Sequence, residues 1–166
     1  MIMEIKFRKA DIGDIPVIAQ LADAIWRKHY PSIISIAQID YMLKEMYSQQ
    51  ALQEQMKEGH QFTLVYVNEI SSGYISVSSH DRRNYYINKF YVDVNEHRKG
   101  IGSLLLQHII KQLPDAETFE LAVNRENYKA VNFYFKNGFT IKHSFDLHIG
   151  NGFYMNDYMM EKKMVK

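Results

Sequence analysis

The chain has 166 residues, 46% hydrophobic and 23% charged, and a length that buries about two-thirds of the unfolded surface in a single domain, 1–166. Its net charge of +1 gives no global electrostatic case for nucleic acid or membrane surfaces, and no apolar run reaches the roughly eighteen residues that cross a bilayer. Cysteine is absent, which removes disulfides, thiolate metal sites and a thiol nucleophile and fits a cytoplasmic setting.

The alternating run 1–8 reads as a first strand. Asp14 can cap a helix whose first turn holds Pro16, and Ile15, Ile18, Ala19, Ala22 and Trp26 recur at the spacing of a core-facing stripe. Pro31 ends that region, and further helices are predicted over 36–47 and 50–57, ahead of Gly59. Segments 61–67 and 72–79 alternate around a short turn and read as a hairpin, and a turn at 81–84 leads into a strand over 85–94. A helix over 100–113 is closed by Pro114; a strand over 118–123 and a helix over 128–137, stopped by Gly138, follow. Two long alternating strands, 139–148 and 153–162, flank Gly150-Asn151-Gly152, a good hairpin signal. No linker, repeat or low-complexity tract divides the chain. The pattern predicts an α/β chain, one mixed sheet with helices on both faces.

The junction at 92–106 carries the most chemistry. Gly100 and Gly102 lack Cβ, so the backbone can curl around an anion with its N–H groups pointing inward, and the helix that follows adds free N–H groups and a positive dipole end. Arg98 and Lys99 add charge beside it. Neither of two familiar phosphate loops is present: G-x-x-x-x-G-K-S/T is missing, and Leu105 sits where the third glycine of G-x-G-x-x-G would fall.

About two dozen residues on, Leu121, Val123, Asn127, Ala130, Tyr134, Gly138 and Phe139 complete a second pattern. With it the chain resembles the GNAT superfamily of N-acetyltransferases, whose acetyl-CoA loop reads Q/R-x-x-G-x-G/A and precedes L-x-V-x-x-x-N-x-x-A-x-x-x-Y-x-x-x-G-F. His97 departs from the loop's usual Gln or Arg. The resemblance covers the second half of the chain. It implies an acyl-CoA N-acyltransferase fold with a mostly antiparallel mixed sheet, and acetyl-CoA as cosubstrate. It assigns Phe90, Tyr91 and Val92 to backbone contacts with the pantetheine arm and thioester. The loop His97, Arg98, Lys99, Gly100, Ile101, Gly102 and Ser103 falls to the phosphates, with Asn124, Asn127 and Lys136 completing the cofactor set.

Tyr134 stands where the family has a proton donor for the leaving thiolate. A phenol near pKa ~10 stays protonated at neutral pH, and a thiolate near ~8.5 is only slightly less basic. The bland alternative is that Tyr134 packs its helix. Asn127 is nearly as well explained by a local bond at a helix start, and Lys136 by a solvated surface charge.

For the acceptor amine the candidates are Trp26, Tyr30, His80 and Glu120, with Asp93 a further acid near the loop. Trp26, His29, Tyr30, Tyr41 and Tyr47 give an aromatic wall that can face a cationic amine, although Trp26 and Tyr41 equally suit a helix core. No metal is expected, since the seven His show no ligand spacing. The expected reaction is direct acetyl transfer to a primary amine of a small molecule, polyamines included. Acetylation of a protein N-terminus or lysine is an alternative that needs an open groove, whereas a small-molecule enzyme should fold the 29–47 segment over the site. A non-catalytic acyl-CoA-binding module is the third reading. Homodimerisation is expected through the C-terminal hairpin.

Overall fold

In chain order the elements are β1 (Ile5–Lys9), α1 (Ile15–His29), α2 (Ile36–Tyr47), α3 (Gln49–Lys57), β2 (Gln61–Val67), β3 (Ile70–Ser78), β4 (Asn84–Val92), α4 (Ile101–Gln112), β5 (Thr118–Asn124), α5 (Tyr128–Lys136), β6 (Thr140–Gly150) and β7 (Phe153–Lys163). A computed structural model describes residues 2–97 and 99–165. The strands form one sheet in the order β1-β2-β3-β4-β5-β7-β6. Every neighbouring pair is antiparallel except β4 and β5.

Alternation along the strands sorts the apolar side chains into two cores. Phe62, Leu64 and Tyr74 join α1, α2 and α3 on one face. Val65, Val67, Ile75, Leu121 and Val123 join α4 and α5 on the other. The helical stripe expected of α1 is there, with Ile15, Ile18, Ala22 and Trp26 buried. Its start differs from expectation. Asp14 makes no side-chain cap bond to α1; its carboxylate takes two bonds from Arg8, at 2.6 and 3.0 Å, and one from the Asp11 N–H that closes a capping box on the short helical turn Ile12–Asp14. A guanidinium six residues back, on β1, holds that carboxylate in place of the helix N–H groups. The strand expected over 85–94 stops at Val92, because Asp93 turns to cap the short helical turn Val94–Glu96.

Three irregularities open the sheet. β4 and β5 pair only over Asn84–Tyr86 with Thr118–Glu120 and then part. On its other edge β4 carries one extra residue, Asn88, between the pairs Val77–Ile87 and Ser76–Lys89. Such a bulge bends and twists its strand, here where β5 departs. Gly73 of β3 faces Val92 at close range, where a Cβ would lie 2.5 Å from the Tyr91 carbonyl oxygen. Beyond Tyr86 no strand among the described residues pairs with β4 on its β5 side, which leaves backbone groups there for other partners.

Candidate active site

The parting of β4 from β5 makes two cavities that share a wall. The larger, about 620 Å³, runs from the split to the start of α4. The smaller, about 120 Å³, lies on the other side between the sheet and α1–α2. Phe90, Tyr91, Asn127, Ala130 and Tyr134 line both.

The larger cavity gathers most of the cofactor residues expected from sequence, Phe90, Tyr91, Val92, His97, Gly100, Ile101, Gly102, Ser103, Asn127 and Lys136, together with Tyr134, the expected proton donor. Gly100 caps α4 with φ of 75° and has open space around a notional Cβ, so the turn is a left-handed cradle that only glycine adopts freely. The first intrahelical bond runs from Leu104 N to Gly100 O, so the N–H groups of Ile101, Gly102 and Ser103 point out of the helix end. His97 does not use its ring on a ligand: Nε2–H donates to the Val92 carbonyl at 2.9 Å and staples the loop to β4. Lys136 sits exposed at the rim. Lys99 does not line the cavity; its ammonium pairs with Glu96 at 3.0 Å. Arg98 lies outside the described residues.

Asn127 is both local and shared. Its Oδ1 accepts from Ala130 N at 3.3 Å, the helix-start bond weighed from sequence, and also from His29 Nε2 at 3.1 Å. Tyr134 is buried in the common wall, against the rings of Phe90, Phe133 and Phe139. Burial pushes its phenol well above the usual value, so it stays protonated.

The smaller cavity contains Trp26 and Tyr30, as expected, but neither His80 nor Glu120; Asn124, expected among the cofactor residues, lines this cavity and not the larger one. His80 is exposed in the turn after β3. Glu120 lies on β5 below the split, and its carboxylate takes a 2.5 Å bond from Lys142. Asp93 faces its own turn. Trp26 packs against Tyr30, Tyr47 and Tyr91, and Tyr30 and Tyr91 share a hydrogen bond of 2.9 Å. Burial lifts Tyr30 to about 12.

Two charged residues in this cavity were missed. Lys89 of β4 is 6% exposed, with Nζ 5.0 Å from the centre of the Tyr47 ring. Burial lowers its pKa to about 8. Asp157 of β7 is 3% exposed, and burial raises it to about 6, partly offset by Arg125. The available signal was a charge in the middle of each strand, at positions where a buried face calls for apolar residues.

A family model described as "Acetyltransferase (GNAT) domain" matches residues 34–161. The chain belongs to the GNAT acetyltransferase family. It is 26% identical over 168 residues to a spermidine N(1)-acetyltransferase of Thermoplasma acidophilum, covering 97% of this chain and 98% of that one. The fold matches the crystal structure of the PaiA N-acetyltransferase from Thermoplasma acidophilum in complex with coenzyme A. The TM-score is 0.81 at 24% identity, over 97% of this chain and 99% of that one. A GCN5-related N-acetyltransferase from Rhodopseudomonas palustris matches at TM-score 0.81 and 17% identity, over 99% of both chains. This GNAT enzyme uses acetyl-CoA, and the sheet with its five helices is the acyl-CoA N-acyltransferase fold expected from sequence. The open cradle at Gly100, the outward N–H groups and the long cavity fit that cosubstrate. Acetyl-CoA brings the activated acetyl group.

Proposed function

We propose that this GNAT enzyme acetylates the primary amine of a small molecule, held in the smaller cavity. The carrying observation is that α2 lines that cavity and is tethered across it. α2 is tied to the C-terminal hairpin by Gln38 Nε2, which donates to Tyr154 O at 2.8 Å, and by the Tyr41 hydroxyl, which donates to Ile149 O at 2.6 Å. Ile34, Gln38, Met42 and Met46 of the 29–47 segment line the cavity, which favours a small acceptor over a peptide. The relative named as a spermidine acetyltransferase supports the same class of acceptor.

In this reading the acetyl-CoA phosphates rest on the N–H groups of Ile101, Gly102 and Ser103, with Lys136 at the rim. β4 donors near Phe90–Val92 hold the thioester oxygen. One such donor aimed at the developing oxyanion is typically worth about 3–4 kcal/mol. The amine nitrogen attacks the carbonyl carbon and sheds its proton to solvent, the C–S bond breaks, and Tyr134 gives its proton to the departing thiolate.

Thiol release from acetyl-CoA, measured against panels of small amines and of peptides, tests the proposal. Turnover confined to small amines supports it. Turnover confined to peptides would replace it with the protein-modifying alternative, and acetyl-CoA binding without any turnover would favour the regulatory module.

A cytoplasmic setting belongs to the same proposal, resting on a cysteine-free chain that uses acetyl-CoA; cell fractionation checks it. Among the described residues no helix is long and apolar enough to cross a membrane. The homodimer is proposed through β6, an eleven-residue edge strand with Ile141 and Leu147 exposed. A monomer mass in light scattering at micromolar concentration would refute it.

A further inference from the structure

The acceptor cavity is lined by one buried cation and one buried anion, Lys89 and Asp157, that no ion pair joins to another of the described residues. No hydrogen bond reaches the Asp157 carboxylate among them. The ammonium of Lys89 lies over the face of Tyr47 and close enough to His60 to help lower that imidazole's pKa. Arg125, the cation that offsets Asp157, is itself occupied by Asp146 at 2.7 Å and by the Phe145 carbonyl at 3.2 Å. Burying a charge without a partner is strongly unfavourable, and a fold with no use for these groups does better with apolar side chains. The shifted pKa values of both residues register that cost.

Their placement is informative. Asp157 stands opposite Asn124 of β5 and faces the same side of the sheet as Met155, toward α1 and α2. Lys89 faces that side too, next to the bulge at Asn88 that sets its direction. One side chain comes from β4 and the other from β7, with the split between them, and both line the same space of about 120 Å³. A ligand there meets a positive charge on one bank and a negative charge on the other.

We propose that the acceptor is a small amino acid, a primary amine that also bears a carboxylate, with its ammonium toward Asp157 and its carboxylate toward Lys89. This rests on the small-amine reading above and narrows it. A polyamine satisfies only half of the cavity, since its second ammonium would meet Lys89 in a low-dielectric space where like charges repel strongly. A protein lysine offers no carboxylate at all. One lysine in a cavity of this size matches a single compact carboxylate better than a dianionic phosphate, which attracts several donors.

The test compares matched acceptors in the thiol-release assay: glycine, β-alanine and the larger amino acids against methylamine, ethylamine, putrescine and spermidine. The best amino acid should exceed its decarboxylated counterpart by about tenfold or more in kcat/KM, as expected when a site's buried polar group is left unpaired. Lys89→Met should cut kcat/KM on the amino acid at least tenfold more than on the plain amine, mainly through KM, and Lys89→Arg should restore part of the preference. Lys89→Glu should move the preference toward putrescine. Acetyl-CoA binding by calorimetry reports whether each variant is folded; where Lys89→Met fails that check, the Arg and Glu variants carry the test. Plain amines or spermidine turned over as well as amino acids would overturn this inference while leaving the small-amine reading intact. Turnover of peptides alone would overturn both.

Discussion

His29 Nε2 lies 3.1 Å from Asn127 Oδ1, and this one bond joins the end of α1 to the start of α5 beside the larger cavity. The same amide oxygen accepts from Ala130 N, so it caps α5 and latches α1 at once. Replacing Asn127 by Ala removes both. A lost N-cap costs about 1 kcal/mol and a lost part-buried hydrogen bond about another. Asn127→Ala should therefore lower the unfolding midpoint by roughly 4–8 °C in a chain of this size, and weaken acetyl-CoA binding several-fold in calorimetry. Loss of affinity without loss of stability would mean that Asn127 serves the ligand alone.

The latch should be sensitive to acid. Burial, with help from His97 and Lys129, lowers the His29 pKa below 6.5 in the folded chain. The unfolded chain then binds the extra proton first. The contribution of neutral His29 is complete above about 6.5 and is lost as pH falls toward and through the lower folded value. Asp157 titrates nearby with the opposite sign, so the wild-type curve alone mixes the two. Subtracting the melting curve of His29→Gln, which keeps a donor but cannot titrate, should leave a component that falls between about pH 7 and pH 5. A flat difference would remove His29 from the acid response.

Tyr134→Phe isolates the proton donor. The ring contacts with Phe90, Phe133 and Phe139 survive the change, and only the hydroxyl is lost. Turnover should fall about 100-fold or more, within the range for general acid catalysis, while the Kd for acetyl-CoA moves by less than about threefold. A stability loss in place of the rate loss would return Tyr134 to a packing role.

Two glycines near the site differ in what they forbid. At Gly102 a Cβ would lie 3.1 Å from Phe133 Cε2, and that ring lines the larger cavity. Gly102→Ala should push the ring by a few tenths of an ångström, changing stability by less than about 1 kcal/mol but raising the Kd for acetyl-CoA several-fold. At Gly73 the obstacle is the Tyr91 carbonyl, backbone of the adjacent strand, which cannot rotate away. Gly73→Ala has to spread β3 from β4 and should cost about 2 kcal/mol or more in chemical denaturation. Equal effects of the two substitutions on stability and affinity would contradict this division.

Most elements of the fold were legible because they depend on local periodicity and turn residues: α2 falls on the expected 36–47, and β2 on 61–67. The loop was legible because glycine spacing is a backbone requirement. What sequence did not show was long-range. Glu120 is diverted from the acceptor by Lys142, twenty-two residues away on another strand. Lys89 and Asp157 belong to strands that meet only through the order β4-β5-β7, which no local pattern encodes. The bulge that turns Lys89 toward α2 likewise arises from pairing and not from composition.

Asp157 also sets stability against activity. A carboxyl raised from 3.8 to about 6 favours the folded state below its unfolded value, and that contribution is lost as pH rises through about 6. At neutral pH the folded chain therefore carries a buried charge at a cost on the order of 1–3 kcal/mol. Asp157→Asn removes the charge and keeps the shape. The variant should melt several degrees higher than wild type at about pH 7.5, with the gap closing toward pH 5, while kcat/KM for the acceptor falls about tenfold or more. A variant that is both less stable and fully active would mean the carboxylate has an internal partner and no role toward the amine. Higher stability with lower turnover is the signature of a charge kept for a ligand.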